Sequence, residues 1–420
     1  MMKYQKYAEY KDSGEWLGEI PSHWDIQPTK RFFRLITEPA PDNNNHELLS
    51  VYTEIGVKPR KELEQKGNKA TTTDGYWLVK KGDIVINKLL AWMGAVGYSE
   101  YDGVTSPAYD ILRPTKKLNP KFYHYLFRTK IANMEFKRWS RGIMEMRLRL
   151  YFDELGRISM PFPTFEEQNK IVDFLDHEIT QIDSLIEKQQ QLIQLLKEKR
   201  QAVIGHAVTK GLNSDVPMKD SSVEWLRQVP EHWEVGRLKN VLSIKNGRDY
   251  KTVEVEDGGY PVYGSGGVFK RSSAFLYDGI SLLFGRKGTI DKPLLVQGKF
   301  WTVDTMFYSE IDPKFIPEYI YYQSLGFPFD KLSTNTALPS MTQEDLLNLG
   351  FVIPSKDEQQ RIVEYLKNYI AKNSALMIRA NKAIQLMQER RTALISAAVT
   401  GKIDVRNWQN PTEAKMEFSA

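Results

Sequence analysis

At roughly 100–200 residues per domain, the 420 residues predict two to four domains, and 41% hydrophobic, 26% charged and 12% aromatic residues exclude a disordered or fibrous chain. Without cysteine there is no disulfide framework, thiolate nucleophile, Fe–S cluster or Cys-based zinc site. The net charge of +5 does not by itself point to nucleic acid, but it is unevenly placed: +6 over 1–163, −2 over 164–210, −3 over 211–353, +5 over 354–402 and −1 over 403–420, so a polyanion would be met by patches. No apolar run approaches the roughly 18 residues needed to span a bilayer, and Met1 to Tyr10 has no hydrophobic core for a signal peptide, so a soluble cytoplasmic protein is expected.

Taken in chain order, the sequence opens on a frame from Lys11 to Trp24, KDSGEWLGEIPSHW. Gly82 to Asn87 and Val104 to Leu112 follow as predicted strands, and Pro120 to Thr129 as a short aromatic helix. Residues 130–149 then hold six basic and two acidic residues interleaved with Phe136 and Trp139. From Glu166 to Val208, Ile171, Leu175, Ile182, Leu185, Leu192, Leu196 and Val203 follow a three-four alternation interrupted by polar Glu178, Gln189 and Lys199, which predicts a helix about 64 Å long.

The frame then returns from Lys219 to Trp233 as KDSSVEWLRQVPEHW, 209 residues on from Trp16 to Trp225. Strands are predicted at Ile280 to Phe284 and Phe300 to Phe307, with Ile316 to Leu325 as the counterpart of the aromatic helix. A second long helix follows from about Asp357 to Val399, with Ile362, Leu366, Tyr369, Leu376, Met387 and Leu394 in register and small Ala380 and Ala383 in mid-seam. Its residues repeat those of the first at a constant offset of 191: Pro163, Glu167-Gln168, Ile171-Val172, Arg200 and Ala207-Val208-Thr209 against Pro354, Glu358-Gln359, Ile362-Val363, Arg391 and Ala398-Val399-Thr400. Two long anchors in the same order indicate an internal duplication. A weaker echo, Asn119-Pro120-Lys121-Phe122 against Asp312-Pro313-Lys314-Phe315, suggests that both interiors share a fold. The fold expected is α+β: two mixed α/β units with two long helices, antiparallel if the copies are related by a two-fold.

No catalytic set stands out. There is no GxxxxGK[ST] loop, no GxSxG elbow, no HExxH, and no Asn-Pro-Pro-aromatic or Asp-Pro-Pro-aromatic tetrapeptide of the kind amino-methyltransferases use. His23 and His232 sit at one place in the repeat, before a Trp, and read as framing contacts. Pro41-Asp42 followed by Glu64-Gln65-Lys66 is a nuclease-like coincidence, but holding Mg²⁺ would need those carboxylates on adjacent strands, and Asp42 lies in a loop composition.

Binding features are better developed. Arg147 and Arg149 alternate with Met146, Leu148 and Leu150, so they share one face of a strand or extended loop, suited to phosphates or to guanine; a solvated charged face is the alternative. Further on, Lys245-Asn246-Gly247-Arg248, Tyr263-Gly264-Ser265-Gly266-Gly267 and Phe284-Gly285-Arg286-Lys287-Gly288-Thr289 place basic and hydroxyl groups on Gly-rich turns, where backbone N–H approaches phosphate, or else form ordinary loops.

Paired W-L-G-E-I-P-x-H-W-like frames, each closed by an E-E-Q-x-x-I-V helix ending E-K-R-x-A-x-I-x-x-A-V-T-x-G, resemble the specificity subunits of type I restriction-modification systems from Lys11 to about Arg406. Arg227-Gln228 in place of Gly-Glu, and no Val before Glu in the first frame, are the departures. The resemblance implies target-recognition domains at 1–163 and 211–353, each reading one half of a bipartite asymmetric site in double-stranded DNA. It implies helical spacers at 164–210 and 354–402 and a tail at 403–420. Residues 87–94 and 142–151 look like DNA-facing stretches of the first domain, and 284–289 and 301–307 resemble segments of the second-domain type. The implied DNA-binding residues are Lys88, Trp92, Arg138, Arg141, Arg147, Arg149, Lys245, Arg248, Ser265, Arg286, Lys287 and Thr289. The helices would dock two modification (methyltransferase) subunits through Glu167, Gln168, Ile171, Arg200, Glu358, Gln359, Ile362 and Arg391, with restriction (translocase-endonuclease) subunits joining. The subunit itself would be non-catalytic and hold no cofactor, S-adenosylmethionine, ATP and Mg²⁺ belonging to its partners. A coiled-coil scaffold with two protein-binding heads and a stand-alone DNA enzyme are the competing readings.

Overall fold

In the computed structural model, residues 4–14, 16–53, 55–62, 73–144, 147–333 and 339–411 are described. Their helices are α1 (Pro120–Phe127), α2 (Lys130–Trp139), α3 (Phe152–Leu155), α4 (Phe165–Lys210), α5 (Pro317–Ser324), α6 (Phe329–Leu332), α7 (Gln343–Leu347) and α8 (Lys356–Val399). The chain divides into unit 1, Met1–Lys188 with Ala383–Ala420, and unit 2, Gln189–Lys382. Each long helix therefore contributes to both units, and α4 passes from unit 1 to unit 2 while α8 passes back, so the two run antiparallel.

Unit 1 is built on a four-stranded antiparallel sheet in the order Phe33–Ile36, Tyr109–Pro114, Ile84–Asn87, Val96–Tyr98. The central run is apolar without alternation because both faces are covered. Ile84 and Ile86 pack with Phe33, Phe122 and Phe136, whereas Val85 turns the other way onto Leu49, Val51, Val57 and Ile111. The predicted strand over 104–112 is two strands. Gly103–Thr105 pairs with Trp77–Val79 and Tyr109–Pro114 joins the sheet. Between them Pro107 lacks the N–H a ladder needs, and the Ser106 hydroxyl accepts the Ala108 N–H to make the turn.

Unit 2 carries a seven-stranded sheet in the order Leu242–Asn246, Met306–Ile311, Tyr277–Gly285, Leu294–Thr302, Tyr260–Gly264, Gly267–Ser272, Glu254–Val255. Its pairings are antiparallel except for that between Leu294–Thr302 and Tyr260–Gly264. The strand expected from Phe300 to Phe307 is again two, broken by a turn at 303–305.

What the units share is the frame around these sheets. Asp25–Pro28 pairs with Ser159–Phe162 in unit 1, and Glu234–Arg237 pairs with Gly350–Ile353 in unit 2. Small hairpin ladders precede them, Tyr10–Asp12 on Glu19–Pro21 and Met218–Asp220 on Gln228–Pro230. The helix after each sheet is also shared, but not in the register of the sequence echo. Asn119 caps α1 through the Lys121 N–H, with Pro120 in its first turn, whereas Asp312 to Phe315 form the turn before α5, which begins at Pro317.

The long helices bury Ile171, Phe174, Leu175 and Ile182 of α4 with Leu394, Ala398 and Val399 of α8 in unit 1. In unit 2 they bury Ile204, Ala207 and Val208 with Ile362, Val363 and Leu366. The seam read from the sequence holds near the ends and at the small mid-seam residue Ala380, which is buried, but elsewhere it departs: Leu185, Leu192 and Leu376 are exposed, while Ile179 and Asn373 are buried. In α4 the physical reason is drift, since a straight helix turns ~20° per heptad against a 3.5-residue repeat, and burial there moves one position on, to Ile179 and Ile204. In unit 2 the Asn373 Nδ2 donates to the Leu196 carbonyl at 3.1 Å, a polar contact at a packed position. Among the described residues no helix is long and apolar enough to cross a membrane.

Candidate nucleic-acid interface

The Pro-[Thr/Ser]-x-x-Glu-Gln sequence at the start of each long helix explains its own position. Thr164 and Ser355 hydroxyls accept the N–H groups of Glu167 and Glu358, which starts the helix and places each carboxylate at its positive end. Glu167 then accepts from the Tyr7 hydroxyl at 2.7 Å and the Trp24 Nε1–H at 2.9 Å, with His23 Nε2 at 2.9 Å. In unit 2 Glu358 accepts from Trp233 Nε1–H at 3.2 Å and lies 3.0 Å from His232 Nε2. Burial opposes ionisation of Glu358, yet the His232 and Trp233 hydrogen bonds hold its carboxyl below the usual value. Gln168 accepts the Asn119 N–H at 2.8 Å and donates to Pro163; Gln359 accepts from Ile316 at 3.1 Å and donates to Pro354. Ile171 and Ile362 are buried. Six of the eight residues assigned to partner docking are thus occupied inside their own units, as clamps between frame and helix. Arg200 is half-exposed in unit 2, and Arg391 in unit 1 lies 3.1 Å from Asp183.

Three stretches that the sequence set apart converge in unit 1. The Leu150 N–H donates to the Lys88 carbonyl, joining the 87–94 turn to the 141–149 loop, and Lys137 Nζ lies 5.0 Å from the Trp92 ring centroid, joining α2 to the same turn. Arg141 and Arg149 exchange backbone hydrogen bonds at 2.9 Å and close the loop. Arg141 also pairs with the buried Glu154 of α3 at 2.5 Å. Arg138, Arg141, Arg147 and Arg149 are exposed; Met146, which the alternation also used, lies outside the described residues. Lys88 is more constrained, with Nζ 3.3 Å from Asp110 and 3.0 Å from the Pro107 carbonyl. Burial raises the Asp110 carboxyl and Lys88 opposes that rise.

Unit 2 gathers its Gly-rich turns at one end of the large sheet, and the turn at 302–305 is their hub. Thr302 accepts the Arg248 N–H at 2.9 Å, Tyr263 accepts the Val303 N–H at 3.2 Å, and Thr305 accepts the Arg286 N–H at 2.8 Å. Gly247 and Gly285 have no room for side chains, since a Cβ would meet Val303 O at 2.0 Å and Thr289 O at 2.1 Å. Arg248, Lys287 and Thr289 are exposed, with Arg286 and Ser265 half-buried. Lys245 is exposed and 3.9 Å from Glu310, while Trp301 is core and donates to the Arg248 carbonyl. A cleft of about 470 Å³ opens here between Asn246, Arg286, Lys287, Ser340 and Gln343. Sequence reasoning missed Gln343, whose amide donates to Asn246 at 3.0 Å, and Glu154; neither lies in a motif that would have drawn attention.

The nuclease-like pair does not form a site among the described residues. Asp42 is exposed in a loop, and Glu64, Gln65 and Lys66 lie outside those residues. No group of three or more His, Asp or Glu is placed to hold a metal ion among the described residues.

Among known proteins, the family described as "Type I restriction modification DNA specificity domain" matches residues 21–196 and 230–386. The type I restriction enzyme MjaVIII specificity subunit of Methanocaldococcus jannaschii is 22% identical over 428 residues, covering 92% of this chain and 95% of that protein. A chain solved in work on complex assembly and conformational transition of the type I R-M system superposes with a TM-score of 0.67 at 14% identity, over 91% of this chain and 99% of that one. The HsdS subunit of Thermoanaerobacter tengcongensis gives 0.56 at 14% identity, over 91% and 98%.

Proposed function

Because the chain belongs to the type I restriction-modification DNA specificity family, we propose that its two units each read one half of a bipartite, asymmetric site in double-stranded DNA. A specificity subunit binds DNA for its complex and is not itself the catalyst. One observation carries the bipartite reading: a single frame is built twice, Trp24 on Glu167 and Trp233 on Glu358, around a four-stranded sheet in one unit and a seven-stranded sheet in the other. Equal frames with unequal contents suit two half-sites of different sequence. The first unit reads through the Arg-rich surface of Arg138, Arg141, Arg147 and Arg149 with Lys88 and Trp92 behind it. The second reads through Lys245, Arg248, Ser265, Arg286, Lys287 and Thr289 around the 302–305 turn. Half-site centres about 10 bp apart place both readers in major grooves on one side of the duplex.

Two modification subunits dock on the long helices and supply S-adenosylmethionine-dependent methylation, and restriction subunits bring the ATP- and Mg²⁺-dependent step. Glu167, Gln168, Ile171, Glu358, Gln359 and Ile362 act in docking by fixing the frame. Arg200, Arg391 and the exposed Leu192, Leu195, Leu376 and Ile378 supply the surface.

Adenine-methylation mapping of DNA from cells expressing this chain with its modification subunit, against the modification subunit alone, tests the reading. A new bipartite motif that depends on this chain is expected. Absence of any new motif from an assembled complex would overturn it in favour of a scaffold.

A further inference from the structure

We propose that the tip of the 141–149 loop, Ile143 with Met144, reads the 5-methyl group of thymine in the half-site met by unit 1. The proposal rests on the DNA-reading function above and adds an apolar reader to it. Ile143 is fully exposed at 102% and Met144 is 54% exposed, a pair of large apolar side chains with no place in any core. Their exposure is built. The Arg141–Arg149 backbone pair closes the loop, the Arg147 N–H donates to the Met144 carbonyl at 2.8 Å, and buried Leu150 anchors the base beside Lys88.

The occupant follows from what surrounds the tip. Arg141, Arg147 and Arg149 are all exposed on the same short loop, so a purely apolar partner would strip water from three guanidinium groups. The major groove of DNA offers both chemistries in one strip: phosphates and guanine O6/N7 for arginine, and on the groove floor the thymine methyl, its one apolar group. A loop with Arg141 and Arg149 at its base, and Arg147 beside an exposed isoleucine and methionine, matches that arrangement.

The test uses the assembled complex of this chain with its modification subunit and a duplex carrying the motif found by methylation mapping. Each thymine of the motif is replaced in turn by deoxyuridine, which removes the methyl and keeps the base pair. The expected result is one or two positions where the native complex loses about 4-fold in affinity, the worth of one buried methyl-sized group. In an Ile143→Ala/Met144→Ala variant that loss disappears at the same positions. Unchanged thermal melting of the variant shows that it folds. If no thymine shows a methyl dependence that the variant abolishes, while the motif is still bound, the tip proposal is wrong and the DNA-reading function stands. An equal loss in the variant on thymine and deoxyuridine duplexes also overturns it, in favour of a contact other than the methyl. If the native complex prefers no sequence at all, the failure belongs to the underlying reading.

Discussion

The Trp24 indole N–H donates to the Glu167 carboxylate at 2.9 Å across 143 residues of sequence, with both side chains buried. Glu167 also accepts from Tyr7, and its pull is one reason, after burial, that the Tyr7 hydroxyl is held far above its ordinary pKa. Removing this acceptor leaves buried donors unpaired. Glu167→Ala is expected to destabilise unit 1 by roughly 3 kcal/mol. Glu358→Ala should cost about half as much, because Glu358 and His232 are more exposed than their counterparts in unit 1. Urea unfolding of both variants checks the order, and equal losses would contradict it.

Gly142 holds the 141–149 loop closed at φ +156°, and a Cβ there would meet the Arg147 carbonyl oxygen at 2.6 Å. Gly142→Ala should therefore open the Arg141–Arg149 pair without reaching the core. The expected outcome is near-native melting with reduced affinity for the methylated motif, the loss falling on one half-site. A variant with native affinity would show that the loop geometry does not matter to binding.

Exposed arginines and a paired lysine should behave differently. Arg147→Ala and Arg149→Ala are each expected to lower the slope of log K against log salt by about 0.9 for every phosphate the variant no longer neutralises, with little change in stability. Lys88→Ala should instead cost roughly 1–3 kcal/mol of stability, because it leaves the mostly buried Asp110 without its cationic partner. Binding titrations at several salt concentrations, set beside thermal melting, separate the two effects.

His124 provides a pH test of unit 1. Burial, with Arg128, Lys121 and Arg391 nearby, pushes its pKa down to about 3, and its Nδ1 accepts the Tyr98 N–H at 3.2 Å, as a neutral ring must. A folded pKa below the unfolded value near 6.5 means that the unfolded chain binds the extra proton. The stability is complete above pH 6.5 and is lost as pH falls toward 3, by up to ~1.4 kcal/mol per pH unit. His124→Gln should flatten the dependence of unit 1 melting between pH 6.5 and 5, above the main carboxylate range.

The frame was legible in the sequence because the same side chains meet in each copy of the repeat. Trp24, His23 and Glu167 recur as Trp233, His232 and Glu358, and the structure joins each set. The interiors were less legible for a physical reason. Their strands are short, and apolar runs such as 104–112 and 300–307 cross tight turns that hydrophobicity does not mark. Proximity was hidden too, since the turn at 302–305, which gathers Arg248 and Arg286, has no basic residue of its own. The helices were recognised as helices and Ala380 lies buried in the seam as expected, while Leu185 and Leu376 are exposed and Ile179 and Asn373 are buried instead.

Unit 2 is one continuous stretch, Gln189–Lys382, whereas the core of unit 1 needs Leu394, Ala398, Val399 and Val405 from the far end of the chain. A ribosome delivers the first unit's sheet early but its last core residues late. Domains usually close in the order of synthesis; here the second unit has all its residues first, and the first unit waits with an open apolar face until the end. A nonsense or frameshift lesion after Lys382 would therefore spare the nearer unit and unmake the one encoded at the opposite end.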